Sequence, residues 1–355
     1  MTANINKYNN TTGKEETAMK AKKINGQAVN GKREMLASKL PLDTPYSITI
    51  FPIYACNFRC KYCLHSLEKD EREFISDTIT MPWETYKKCI DDILKFPHKV
   101  KMLHLSGLGE PLLHKDIGKM VAYANQKDVA EGIDIVTNGS MLTKELTHEL
   151  VDAGLTVLRI SLQGINEEQY KREAGIDIDF DEFYNNIKYF YDNRGNTKLY
   201  IKVIDEILDD GQQEEFFNMF GDICDIIAIE HLCPFVDKIN YKDTFNQNEF
   251  YVTMNGNQVP NTNICPQPFY SLQIYPDGKC IPCCTVEKPI VVGDCLKQSL
   301  VQIWNGDVMN SFRRLQLQSK KENNRVCAKC QQYKYGMFKE DILDEYASDL
   351  LKLYQ

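Results

Sequence analysis

The stretch SITIFPIYACNFRCKYCLHS, residues 47–66, decides how the rest of the chain is read. Its first half is rich in β-branched and aromatic residues, the pattern of a buried strand. Its second half places Cys56, Cys60 and Cys63 in a CxxxCxxC array directly after that strand. Three thiols on one short loop can face a common metal centre. They are one fewer than a cluster of four irons requires, so one iron stays open, which marks a catalytic rather than a structural site. The same spacing admits zinc if a fourth protein ligand is present, and His65 can provide one.

Outward from this loop, residues 46–233 alternate short apolar runs with amphipathic stretches. Strand candidates are 47–55, 100–107, 132–139, 156–164, 198–205 and 226–232. Helices are expected at 82–96, 115–127, 143–153, 181–193 and 211–221. Pro82 stands near one helix start, with Glu84 in its first turn; Thr143 is placed as the N-cap of another and Gly154 as its stop. This alternation predicts an α/β fold with a parallel sheet and crossover helices, whose chemistry gathers at the carboxyl ends of the strands.

The remaining organisation follows from composition. Residues 1–45 are polar, rich in Lys, Asn and Thr, and are expected to be a flexible leader outside the fold. Residues 234–264 lack periodicity and are expected to be a linker. In FYSLQIYPDGKCIPCC, residues 269–284, Asp277–Gly278 marks the turn of a β-hairpin. Two helices are expected after it, at 303–318 and 338–354. The hairpin opens a small cysteine-bearing domain over 265–335, and a C-terminal helix ends the chain over 336–355. The thirteen cysteines bunch at 56–63, 265–295 and 327–330 instead of spreading as a disulfide framework does, which points to metal. A formal net charge of −8 with scattered Lys and Arg offers no basic stripe for nucleic acid. No run approaches the roughly 18 apolar residues of a membrane span, and no signal peptide is evident, so a reducing cytoplasm is expected.

At CNFRCKYC the chain resembles the cluster loop of the radical S-adenosylmethionine (SAM) superfamily, Tyr62 included as the aromatic residue that packs near the adenine. Three further strand ends resemble that family in order. Gly107, Gly109 and Glu110 in LSGLGEP correspond to the element that receives the SAM ammonium. Thr137 and Asn138 in IVTNG correspond to residues near the SAM ribose or carboxylate. In ISLQG, Ser161 lies near the SAM carboxylate and Gln163 faces the cavity. The resemblance implies a partial (β/α)6 TIM-like barrel, with a SAM-binding 4Fe-4S cluster on Cys56, Cys60 and Cys63. Reductive cleavage of SAM then gives a 5′-deoxyadenosyl radical that abstracts a substrate hydrogen atom. Some relatives carry an arginine for the SAM carboxylate where this chain has Ala174; Arg172 and Lys171 are the nearby substitutes.

The second cysteine set is similar to the SPASM/twitch-type auxiliary domain of the same superfamily. The four residues between Gly278 and Cys283 match that domain's first half, and no cysteine follows Cys330. The resemblance therefore implies one auxiliary 4Fe-4S cluster on Cys265, Cys283, Cys327 and Cys330. Cys284 is the rival of Cys283, because adjacent strand residues point to opposite faces. A closed four-thiolate cluster implies an electron acceptor, and the resemblance, which extends to the one-cluster twitch arrangement of an aminocyclitol dehydrogenase, implies an oxidoreductase acting on a sugar, polyol or aminocyclitol, with a flavodoxin or ferredoxin as the low-potential electron donor. A peptide-modifying enzyme acting on a precursor peptide is the alternative within the class, and a non-catalytic zinc-binding protein the alternative outside it. Gln163, Lys202, Glu230 and His231 form the shortlist for a base at the strand ends.

Overall fold

The computed structural model describes residues 19–25, 33–72, 75–247 and 249–354. Ten strands form one sheet: β1 (Lys22–Lys23), β2 (Ser47–Ile50), β3 (Met102–Leu105), β4 (Ile133–Thr137), β5 (Val157–Leu162), β6 (Lys198–Ile204), β7 (Ile226–Glu230), β8 (Ser271–Ile274), β9 (Lys279–Ile281) and β10 (Gly293–Asp294). Their order across the sheet is β1-β7-β6-β5-β4-β3-β2-β8-β9-β10. The six expected strands, β2 to β7, pair in parallel in chain order. With their crossover helices they make the partial TIM-like barrel.

Alternation along the strands sorts the two faces. Ile48, Ile50, Leu103, Leu105, Ile133 and Ile135 are buried in the core, as are Tyr86, Cys89 and Ile90 of the helix Trp83–Ile93. Each such side chain contributes about 1.5–3 kcal/mol by leaving water. Thr49, His104, Asp134 and Arg159 occupy the alternate positions and face the barrel interior. The expected helix ends hold: Pro82 is an N-cap, the Thr143 hydroxyl accepts from Leu146 N at 3.1 Å, and Gly154 has φ +85°.

The hairpin is present, with Gly278 at φ +81° and Tyr275 N donating to Lys279 O at 3.0 Å. It belongs to the barrel's sheet, however, because β8 pairs in parallel with β2. Four other features depart from the sequence reading, the first being the helix expected at 303–318, which is two, Leu300–Trp304 and Asp307–Leu317. Within the expected leader, β1 pairs with β7, and Ala21, Leu36 and Leu40 are buried. The expected linker carries a short helix, Tyr241–Phe245, and its Met254 receives a hydrogen bond from His231 N and donates one to Tyr335 O. At the C-terminus the α-helix is confined to Ala347–Leu353, after 3-10 turns at Lys339–Asp341 and Asp344–Tyr346. The Asp341 carboxylate there takes Phe338 N and the Arg33 guanidinium, and Asp344 takes the Thr262 hydroxyl and Asn263 N. These tertiary bonds outweigh helix propensity. No helix among the described residues is long and apolar enough to cross a membrane.

Candidate active site

The cysteine loop leaves the carboxyl end of β2 and is pinned by its backbone. Arg59 N donates to Ala174 O at 2.8 Å and Lys61 N to Glu173 O at 3.0 Å, while the Phe58 ring meets Tyr170 edge-on at 6.0 Å. These partners lie on the helix Glu167–Ala174, which the sequence reading missed although Asn166 caps it by accepting from Gln169 N at 2.9 Å. An Asn-x-x-Gln cap was the available signal.

Burial pushes the Cys56 thiol up to about 11 and raises Cys60 and Cys63 as well, and proximity to one another adds to the rise at Cys56 and Cys60. Such thiols ionise only against an added positive charge, so the donor set fits an iron–sulfur centre. Zinc is poorly served. His65 has both ring nitrogens engaged: Arg72 donates to Nδ1 at 3.3 Å, leaving Nε2–H for Leu108 O at 2.5 Å.

At the next two strand ends, Glu110 gathers three donors. Leu112 N lies 2.9 Å and the Thr137 hydroxyl 2.5 Å from Oε1, and Asn138 N lies 2.7 Å from Oε2. Burial nevertheless lifts its pKa to about 6, because no cationic side chain among the described residues pairs with it. A buried carboxylate without a counter-charge fits an incoming ammonium. Gly109 lets this loop approach the cysteine loop: a Cβ there would lie 2.3 Å from Ile53 O, and Glu110 N donates to Ala55 O at 2.9 Å. A Cβ at Gly107 would lie 2.4 Å from the Phe51 ring. Asn57 and Ser140, absent from the sequence reading, complete the join, with Asn138 Nδ2 donating to Asn57 Oδ1 at 2.9 Å and Asn57 Nδ2 to Ser140 Oγ at 2.8 Å. The nearby cations are occupied elsewhere, Arg172 by Glu173 and Asp209 and Lys171 by Asp177.

At the carboxyl ends of β5 to β7 a cavity of about 180 Å³ brings together Tyr62, Ser161, Lys202, Glu230 and His231. Gln163 stands behind it, accepting from the Tyr62 hydroxyl at 3.0 Å and so fixing the ring. Lys202 Nζ donates to Glu230 Oε2 at 2.7 Å. Glu230 Oε1 is buried and makes no hydrogen bond of ordinary geometry. His231 Nδ1 lies 2.7 Å from Asp205, and that bond raises the imidazole pKa.

The second cysteine set meets at another, smaller cavity, whose wall includes Cys265, Cys283, Cys327 and Cys330. Burial raises all four thiols, Cys327 to about 11. Thr285 Oγ1 lies 3.5 Å from Cys283 Sγ, and Gln316 Nε2 donates to Cys327 Sγ at 3.7 Å, contacts of the kind that tune a cluster's potential. Cys284 turns away: its sulfur accepts from Gln267 Nε2 at 2.9 Å, and it lines a different cavity. Four thiols around one small cavity fit a fully protein-ligated cluster.

Fold and site together are those of a radical SAM enzyme region, and residues 50–212 match the Radical SAM superfamily. Residues 265–331 match SPASM, an iron–sulfur cluster-binding domain, so a radical SAM region and a SPASM region stand in one chain. The cofactors of this class are SAM, a SAM-binding 4Fe-4S cluster and auxiliary iron–sulfur clusters. Among solved structures, BtrN in complex with AdoMet and 2-DOIA superposes with a TM-score of 0.52 at 19% identity, covering 81% of this chain and 92% of BtrN. Streptococcus suis SuiB bound to S-adenosylmethionine superposes with a TM-score of 0.60 at 15% identity, covering 86% of this chain and 79% of SuiB. Both likenesses concern the fold. A tungsten-containing aldehyde ferredoxin oxidoreductase cofactor-modifying protein from Pyrococcus furiosus is 34% identical over 107 residues, 30% of this chain and 28% of the relative. The chain spans less than half the length of the curated relatives it matches.

Proposed function

We propose that this chain is a radical SAM oxidoreductase that oxidises a sugar, polyol or aminocyclitol. In this reading Cys56, Cys60 and Cys63 hold the SAM-binding cluster. Glu110, with Thr137 and Asn138, receives the SAM ammonium, and Tyr62 and Ser161 flank the adenosyl group. Cys265, Cys283, Cys327 and Cys330 hold the auxiliary cluster. Bound there, SAM and the clusters supply hydrogen-atom abstraction and one-electron transfer. The observation that carries the reading is the set of four thiols around one small cavity. A centre with four protein ligands has no position for substrate, which supports an electron-accepting role. A low-potential flavodoxin or ferredoxin is the proposed donor.

The test is anaerobic incubation of reconstituted enzyme with SAM and a metabolite extract. One compound is expected to lose two hydrogens. Cys56→Ala abolishes SAM cleavage, whereas Cys327→Ala retains uncoupled 5′-deoxyadenosine formation without product. Full turnover by Cys327→Ala would rule out the electron-acceptor role. Likeness to SuiB favours a second reading, modification of a precursor peptide, since SuiB was also solved bound to precursor peptide SuiA. That reading is chosen if the altered compound is a peptide.

A further inference from the structure

The sheet face opposite the helices carries a row of polar side chains that the shortlist above does not include. Pairing register sets Gln273 on β8, Thr49 on β2, His104 on β3 and Asp134 on β4 side by side. His104 Nδ1 lies 2.6 Å from Asp134 Oδ1, and Arg159 Nε donates to Asp134 Oδ2 at 2.7 Å. Asp134 is fully buried. Burial works to raise its pKa, but His104 and Arg159 more than offset this, and the carboxylate is held ionised. An ionised carboxylate on Nδ1 orients that nitrogen as the donor and leaves Nε2 as the acceptor, the arrangement that prepares an imidazole to take a proton.

Among the described residues no hydrogen bond engages Nε2. The ring lines a cavity of about 630 Å³, within the usual range for small-molecule sites. Its position is informative. Met254 lines both this cavity and the one holding Tyr62 and Ser161. Gln267 lines both this cavity and the one holding the four auxiliary thiols. With its amide nitrogen donating to Cys283 O at 3.1 Å and its oxygen accepting from Cys284 N at 3.2 Å, Gln273 ties the row to the auxiliary cysteines. The cavity therefore adjoins the auxiliary-thiol cavity across Gln267 and the Tyr62–Ser161 cavity across Met254. Its wall mixes hydroxyls and amides, among them Thr49, Ser271 and Gln273, with charges of both signs, which suits a neutral polyhydroxylated molecule.

We propose that this cavity holds the substrate and that His104 is the catalytic base that takes its hydroxyl proton. This rests on the oxidoreductase reading and names the base that reading needs. In the step, the substrate O–H bond breaks and an Nε2–H bond forms. The O–H electron pair stays on oxygen, and the new imidazolium charge faces Asp134. The carbon-bound hydrogen atom and the electron that complete the oxidation leave as that reading assigns.

Two experiments test it. Diethyl pyrocarbonate labelling of the full chain, mapped by peptide mass spectrometry, reads the geometry without turnover. His104 is expected to react comparably to exposed His98, while His114, buried with both nitrogens engaged, resists. An unreactive His104 overturns the placement. In reconstituted holoenzyme with SAM and metabolite extract, His104→Asn and His104→Gln are expected to lose about 10²-fold or more in product formation while 5′-deoxyadenosine and iron content persist. Wild-type product with unimpaired variants overturns the base assignment alone. Absence of any two-hydrogen loss in the wild type overturns the parent reading and the base with it.

Discussion

Glu110 is where burial and charge oppose each other most directly, and its replacement by Gln gives a measurable consequence. Its folded pKa of about 6 stands above the ordinary 4.5 because burial outweighs three hydrogen bonds. For a carboxylate raised in this way, the stabilising contribution is fully present below pH 4.5 and is lost as pH rises through 6. The shift of about 1.5 units corresponds to about 2 kcal/mol, more than half of it falling between pH 5 and 7.5. Over 355 residues, unfolding entropy is about 0.75 kcal/mol per degree, so the full effect is about 3 °C in Tm. Glu110→Gln removes the titration. The difference in Tm between wild type and variant should therefore move with pH, the wild type losing ground on going from pH 5 to 7.5. Differencing cancels the other titrating groups. Thermal scans of anaerobic holoenzyme measure it. Saturating SAM should reverse the trend in the wild type alone, because its ammonium supplies the missing counter-charge. A wild-type-minus-variant difference that stays flat across this range, without SAM, would refute the reasoning.

Cys283→Ala should lose about four irons per chain by chemical analysis while Cys284→Ala loses none, since only Cys283 faces the space shared with Cys265, Cys327 and Cys330. Equal losses would overturn that assignment. Lys202→Met strands the buried Glu230 carboxylate without its partner, at a cost of about 3–5 kcal/mol, or about 4–7 °C in Tm. Adding Glu230→Gln should recover most of it, and no recovery would place the damage elsewhere. Tyr62→Phe removes the bond to Gln163, about 1 kcal/mol, and should weaken SAM binding about fivefold by equilibrium titration. An unchanged affinity would mean the hydroxyl does not position the ring for SAM.

The six parallel strands were legible because β-branched runs and turn residues repeat locally, and so were the caps at Pro82 and Thr143. What escaped depended on distant partners. Alternation required Cys283 and Cys284 to face opposite ways, but the choice is made by Gln267, which engages both the nitrogen and the sulfur of Cys284. His104, Asp134 and Arg159 each stand as one charged or polar residue inside an apolar strand, MLHL, IDIVT and VLRISL. Singly, each reads as an irregularity. Three in successive strands are a signal, because buried charges survive only when paired, and pairing across neighbouring strands needs them on one face. The C-terminal helix was drawn too long because Asp341 and Asp344, acceptable in a helix by propensity, are taken by Arg33 and Thr262 far away in sequence.

Strand β2 explains how two cysteine sets more than 200 residues apart can serve one reaction. It pairs with β3 on one side and β8 on the other, and the Cys56 loop leaves its carboxyl end. β9 runs back along β8, with Ile281 opposite Gln273, and Cys283 packs in one cluster with Ile281, Phe51, Tyr54 and Tyr275. The distance between the two cysteine sites is thus tied to one sheet. A separate auxiliary domain on a mobile linker would leave that distance free to vary. Because the hairpin instead continues the sheet, backbone hydrogen bonds fix it. At the middle of β2, Thr49 has Gln273 on one side and His104 on the other. A molecule held in the cavity against that row lies beside both the Tyr62–Ser161 cavity and the auxiliary thiols. Proton acceptance by His104 then follows from its place in that row.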